Sequence, residues 1–230
     1  MSTLIFEEKR HRYYLEGQPE KPFTGVTTVL GVIAKPALIN WASNMAVDYI
    51  AEELYVKDRQ DKDAVLLEAR TAYAKKRDKA GDIGTAVHLA VEEWIKEKKI
   101  PELDEQGMKM FNNFVKWAED NNVKFLVSEK RMYSEKLWLA GTCDFTFEMN
   151  GKKYIGDLKT ANAIYYEAFM QMAGYQLMLE EMGEKDFYGS CVVRIGKDGK
   201  FEVQERYDHE TDKEAFLAAL KLYRIINTNK

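Results

Sequence analysis

The chain reads as an α+β protein built in layers, and three features of its 230 residues predict this. Hydrophobic spacing is mostly helical as far as Ala118, alternates through three consecutive stretches, and then becomes helical again. Asn150-Gly151 joins two alternating arms, the strongest short signal for a two-residue type I′ hairpin turn. A second alternating pair follows the next helical stretch, before a final helix. That order suits helices layered on a sheet rather than a bundle or a sandwich.

Taken in order, Ile5 to Leu15 and the turn Glu16-Gly17 predict a short strand or hairpin. Thr24 to Val32 opens a helix that stops near Pro36. Ala37 to Tyr55 is a second helix, with Leu38, Trp41, Met45, Tyr49 and Leu54 at near-helical spacing. The charged run Lys57 to Asp63 is a loop, and Ala64 to Lys79 is another helix. Thr85 to Lys99 carries Val87, Val91, Trp94, Ile95 and Lys98 on one stripe. Pro101 opens the next helix, with Met108, Phe111, Phe114, Val115 and Ala118 inward. Val123 to Tyr133, Trp138 to Met149 and Lys152 to Thr160 are strands. Glu167 to Met182 is a helix stopped by Gly183, and Phe187 to Ile195 with Phe201 to Tyr207 form a hairpin around Asp198-Gly199. A capping box from Thr211 to Glu214 starts the last helix, through Ile226. Residues 1–230 are expected to be one domain, residues 1–80 being a hairpin and helical elaboration and residues 81–230 the core.

Composition excludes several classes. Hydrophobic residues make up 46%, enough for one good core, and no apolar run reaches membrane-spanning length. Met1 to Arg10 lacks the layout of a signal peptide, so a soluble protein of the cytoplasm is expected. Cys143 and Cys191 cannot supply four thiolates to an iron–sulfur cluster or zinc ribbon. No phosphate-binding Gly-rich loop of the motor type occurs. With a net charge of −4 the chain has no global basic field, which counts against a non-specific nucleic-acid coat but not against a metal-dependent enzyme. Lys75-Lys76-Arg77 with Lys79 is a local basic patch, or simply a solvated helix face.

The chemistry gathers at the hairpin. A type I′ turn at Asn150-Gly151 places Asp144 opposite Asp157, and Lys159 on the face of Asp157. Facing residues have Cβ atoms about 5 Å apart, where like charges destabilise a sheet. A hard divalent cation would relieve that clash, and the ammonium would suit an anionic transition state. The plainer alternative is two aspartates at a solvated sheet edge with Lys159 as their salt-bridge partner.

Four short strings stand in order: Gly84-Thr85-Ala86-Val87-His88, Gly141-Thr142-Cys143-Asp144, Gly156-Asp157-Leu158-Lys159-Thr160, and Gln171-Met172-Ala173-Gly174-Tyr175. Together they resemble the RecB-like branch of the PD-(D/E)XK nuclease superfamily over roughly Gly84 to Tyr175. His11-Arg12-Tyr13-Tyr14 and Gly25 to Leu30 look like stand-alone, often phage-encoded members. The resemblance implies a restriction-endonuclease-like α+β core, a central mixed sheet flanked by helices, with an N-terminal helical elaboration. It implies that Asp144 and Asp157 ligate Mg²⁺ or Mn²⁺, with the Leu158 carbonyl as a further ligand. Lys159 would orient the attacking water and stabilise negative charge, and His88 would complete the metal site or bind a second ion. Glu129 would join the site if strand parity is kept, or else make a plain strand salt bridge. Gln171 and Tyr175 would contact the substrate, Tyr175 by stacking or through a phosphate.

The activity so implied is a divalent-metal-dependent DNA exonuclease in recombination or DNA processing, hydrolysing phosphodiester bonds with metal-activated water. Its partner would be linear DNA ends, with a recombination partner or a homo-oligomer also open. An endonuclease of the same superfamily, a non-catalytic DNA-binding or assembly module, and a metal hydrolase with another substrate are the alternatives.

Overall fold

A computed structural model describes residues 3–197 and 199–228, the side chains of residues 79 and 80 excepted. Asp198, half of the expected Asp198-Gly199 turn, lies outside the described residues. The chain divides into two compact units, Met1–Ile33 with Val87–Lys230, and Ala34–Ala86. Among the described residues no helix is long and apolar enough to cross a membrane.

The first unit is an α+β fold with a central mixed sheet flanked by helices. Strands β1 (Leu4–Glu7) and β2 (Arg12–Leu15) form an antiparallel hairpin. Tyr13 and Leu15 pack from it, with Phe23 of the following segment, around Ala140. Residues 3–33, expected with the helical elaboration, fall in the same compact unit as the sheet. Thr24 and Gly25, expected to open a helix, are instead strand β3, and α1 (Val26–Leu30) follows. Strands β4 (Lys124–Ser134), β5 (Leu139–Met149), β6 (Lys152–Lys159), β7 (Phe187–Ile195) and β8 (Phe201–Arg206) complete the sheet. Its order is β3-β5-β6-β7-β8, with β4 on the other edge of β5. Pairing is antiparallel except for β3 with β5 and β6 with β7.

Helices cover both faces. On one, α6 (Tyr166–Glu181), α7 (His209–Asn227) and α1 bury Val29, Met172, Met178 and Phe216 against Cys143, Ile155 and Val192. The connection from β6 to β7 through α6 is the crossover that parallel neighbours require. On the other, Trp94 meets Phe111 and Phe114 of α5 (Glu105–Asp120), and Phe114 packs against Phe125 and Phe145 of the sheet. Trp117 adds an edge-on contact to Phe147.

The second unit is helical: α2 (Pro36–Ala51), a π-helical turn (Glu52–Val56), α3 (Lys62–Ala69) and the first part of α4 (Ala72–Glu97). Arg59 ties it together, bonding Glu53 at 3.0 Å and Glu68 at 2.8 and 3.0 Å. Tyr49 donates to the same Glu68.

Several element boundaries differ from expectation for identifiable reasons. Pro36 does not stop a helix but opens one, where its missing N–H costs nothing. The helix expected over Ala64 to Lys79 breaks at Arg70-Thr71, and α4 then runs unbroken through Gly81 and Gly84 to Glu97. Pro101 precedes α5, whose cap is Asp104, accepting from the Gly107 amide at 2.7 Å. The cap of α7 is Asp208, accepting from Thr211 N at 3.2 Å, rather than Thr211 itself.

Candidate active site

The site forms where the β5–β6 hairpin comes apart. Asn150 (φ +53°) and Gly151 (φ +72°) both take the left-handed backbone that a type I′ turn demands. The resulting register pairs Met149 with Lys152 and continues to Phe145 with Gly156, where the ladder stops. Beyond it β5 pairs instead with β3, Thr24 to Leu139 and Gly25 to Ala140. Asp144 and Asp157 are thus the first residues past a fork rather than a bonded pair. Asp144 Oδ2 accepts the Leu158 amide at 2.7 Å, a side chain supplying an acceptor where the ladder has run out.

Strand alternation also breaks here. A Cβ on Gly141 would meet the Tyr175 ring of α6, whereas Phe145, of the same parity, packs on Phe114 of α5. The face changes between these two residues, at the level of Asp144. On the neighbouring strand Glu129 stands between the pairs Ser128–Phe145 and Lys130–Cys143, with φ +50°. Such a backbone is uncommon for any residue with a Cβ and belongs to irregular strand positions. Register therefore sets Glu129, Asp144 and Asp157 in one row across three strands.

Most of the expected residues fall into two neighbouring groups, one around Lys159 and one around Asp144. Lys159 Nζ donates to Asp157 Oδ1 at 2.9 Å, lies 2.8 Å from Oδ2, and donates to Gln171 Oε1 at 3.3 Å. Gln171 Nε2 in turn donates to the Tyr175 hydroxyl at 2.8 Å. At the other end His88 Nδ1 is 3.7 Å from Asp144 Oδ2, a close approach without a hydrogen bond. A small pocket with room for roughly one water-sized particle is lined by His88, Glu92, Ser128, Glu129, Asp144 and Leu158. Glu92 had not been singled out. It lies four residues after His88, hence on one helix face, and that spacing was the available signal.

Burial bears on one of the two contacts expected of Tyr175, the stacking one. Tyr175 is 4% exposed, its ring laid against Gly141. Its face is closed to a stacking base, while its hydroxyl accepts from Gln171 Nε2. This also explains the glycine of Gly141-Thr142-Cys143-Asp144: a Cβ there would come within 2.7 Å of the Tyr175 ring.

Electrostatically the site is crowded with carboxylates. Burial, and then the charges of Asp144 and Glu92, push Glu129 up to about 7. Burial also pushes Asp157 up; Lys159 opposes this and Asp144 adds to it. Burial works against the Lys159 ammonium, but Asp157 and Asp144 outweigh it and hold the group above its ordinary value.

Among the described residues no three His, Cys, Asp or Glu side chains converge into a ready-made metal cluster. The donors present nevertheless suit a hard cation. Asp157 Oδ2 is buried and makes no hydrogen bond, and the ammonium stands beside it where a cation would. Two carboxylates, a backbone carbonyl and water form a set that Mg²⁺ accepts, and the imidazole would favour Mn²⁺.

A stability prediction follows from the row of acids. Glu129 and Asp157 have folded-state values raised above those of an unfolded chain, so the folded form holds their protons more tightly. Their contribution favours folding at low pH and is lost as pH rises through the folded values, near 7 for Glu129. Asp144→Asn removes a charge that raises both, and its amide oxygen can still accept from Leu158 N. In EDTA the variant should melt higher than wild type at pH 8, by about 1 kcal/mol or a few degrees. The gain should shrink toward pH 5. Thermal melts showing no gain at pH 8 would refute this electrostatic account.

No protein-family model and no curated protein matches the chain. Among solved structures, that of SSO0001 is similar at 16% identity over 86% of this chain and 75% of that one, with a TM-score of 0.36. The structure of a "Putative exonuclease" from Eubacterium rectale is 12% identical over 64% of this chain and 69% of that one, with a TM-score of 0.43. Likenesses at this level carry no argument about chemistry, which rests on the site itself.

Proposed function

We propose that this chain is a divalent-metal-dependent DNA nuclease and, within that class, an exonuclease acting at linear DNA ends. The observation that carries the reading is the arrangement at the strand fork: Asp144 on the Leu158 amide, and beside it Asp157 on Lys159, which also bonds Gln171. An ordinary sheet edge has no use for a buried aspartate beside a second carboxylate and a third, Glu129, in the same row. Two aspartates at a solvated edge would be exposed, yet Asp157 is 1% exposed.

Asp144, Asp157 and the Leu158 carbonyl would hold Mg²⁺ or Mn²⁺, with His88 at the margin. Bound there, the ion would supply the Lewis-acid charge that phosphodiester hydrolysis needs. Lys159 would orient the attacking water and offset charge on the phosphoryl oxygens. Gln171 limits the freedom of the Lys159 ammonium, and the buried Tyr175 limits that of Gln171. Glu129 and Glu92 line the pocket, and a bound cation would offset the neighbouring negative charge that adds to burial in raising Glu129. The preference for ends over internal sites rests on the resemblance of the Gln171 to Tyr175 helix to RecB-like exonucleases.

The test is to incubate purified protein with end-labelled linear DNA and with covalently closed circles, in Mg²⁺, Mn²⁺ or EDTA. Progressive loss of linear DNA in either metal, with circles spared and EDTA blocking, is the expected result. Nicking of circles would replace the exonuclease with an endonuclease, and binding without cleavage in both metals would overturn the nuclease reading.

A further inference from the structure

We infer that Arg194 is a positioning residue for this site, acting through the backbone of Ala161; the inference rests on the nuclease reading above. Arg194 is the register partner of Lys159 on the parallel strand β7. At 2% exposure it cannot reach a substrate, and its neighbours Val192, Val193 and Ile195 are fully buried. A guanidinium among them carries a desolvation penalty that an aliphatic side chain would avoid, so stability alone does not call for it.

What the guanidinium holds is the link between the two halves of the site. Its Nε donates to the Ala161 carbonyl at 2.8 Å, and Nη1 lies 3.8 Å from Glu202 of β8. Ala161 lies near the start of the irregular stretch from residue 160 to 165 that joins Lys159 at the end of β6 to α6, which carries Gln171. A rigid, buried donor clamped on that carbonyl fixes where β6 ends and where α6 starts. The Lys159–Gln171 contact of 3.3 Å spans this connection, so slack in it would reach the ammonium directly. Displacement of a catalytic group by about 1 Å is enough to cost on the order of 10²-fold in rate.

The test uses full-length Arg194→Met and Arg194→Lys in the metal-loaded protein, with two readouts. Hydrogen–deuterium exchange should speed up over residues 160–166 in both variants, more in Arg194→Met, which has no donor for Ala161. Single-turnover cleavage of linear DNA should fall about 10- to 100-fold in Arg194→Met, while KM for the DNA end stays within about two-fold. Arg194→Lys keeps a buried cation without the planar donor and should fall between; it also covers the case in which the methionine variant does not fold. Unchanged exchange over residues 160–166 in both variants would overturn the inference. So would a lower melting temperature with unchanged turnover per folded molecule, the mark of a merely structural arginine. If the wild type did not cleave DNA at all, the nuclease reading would fall by itself, and the exchange comparison would still decide whether Arg194 tethers Ala161.

Discussion

Lys159→Ala should reduce DNA cleavage by a factor of about 10² or more while leaving Mn²⁺ binding as tight as in wild type, or tighter. The two halves of this expectation come from one piece of geometry. The ammonium lies against both oxygens of Asp157 and occupies the place a divalent ion would compete for. Removing it deletes the charge proposed to face the phosphoryl oxygens and frees the carboxylate for the metal. The substitution also leaves Asp157 buried without a cation, so the metal-free variant should be less stable and the metal-loaded one should recover much of the loss. Calorimetric titration with Mn²⁺ and single-turnover cleavage check the two halves separately. Cleavage within ten-fold of wild type would remove Lys159 from the reaction. Clearly weaker Mn²⁺ binding would instead make it a structural support of the metal site.

The parts of this site that were legible in the sequence were those set by local chemistry. Asn150-Gly151 forces two consecutive positive φ values, and that fixed the register from Met149–Lys152 to Phe145–Gly156. Gln171 and Tyr175 are one helical turn apart, and they do meet at 2.8 Å. What could not be read locally were consequences of distant pieces of chain. The ladder ends before Asp144, and Thr24 and Gly25 take up the edge of β5 near its start; nothing in residues 139–159 announces a partner more than a hundred residues earlier. The break in alternation between Gly141 and Phe145, and the left-handed Glu129 beside it, likewise arise from packing against helices on opposite faces. A period-2 rule carried through that point mislocates every side chain beyond it. The resemblance implies that Tyr175 contacts the substrate by stacking or through a phosphate, and its 4% exposure closes its face to a base. Spacing carries no information on depth, and depth was decided by the missing Cβ of Gly141.

Gly156→Ala should destabilise the fold more than any other single change at this hairpin. Gly156 opens the string Gly156-Asp157-Leu158-Lys159, and its φ does not demand glycine, since it is absent from the positive-φ residues of the chain. Space demands it. A Cβ at this position would lie 2.0 Å from Cε2 and 2.4 Å from Cδ2 of Phe145, its register partner on β5. The ring cannot swing away, because Phe114, Phe125 and Phe147 surround it with centroids at 5.7, 5.5 and 5.8 Å and no part of the residue is exposed. Gly156→Ala must therefore shift β6 against β5 or drive the aromatic cluster apart, an overpacking cost of about 3 kcal/mol. For a chain of this size that corresponds to a drop in melting temperature of roughly 6–12 °C. A control isolates sterics from backbone effects. Gly81 lies inside α4, and a Cβ there meets nothing within 4 Å, so Gly81→Ala should be stabilising by about 0.5–1 kcal/mol. Because Asp157 follows Gly156 directly, the destabilised variant should also lose cleavage even at temperatures where it stays folded. A Gly156→Ala protein melting within about 2 °C of wild type would show that the strand fork yields, and that the glycine is not what seats Phe145 beneath the site.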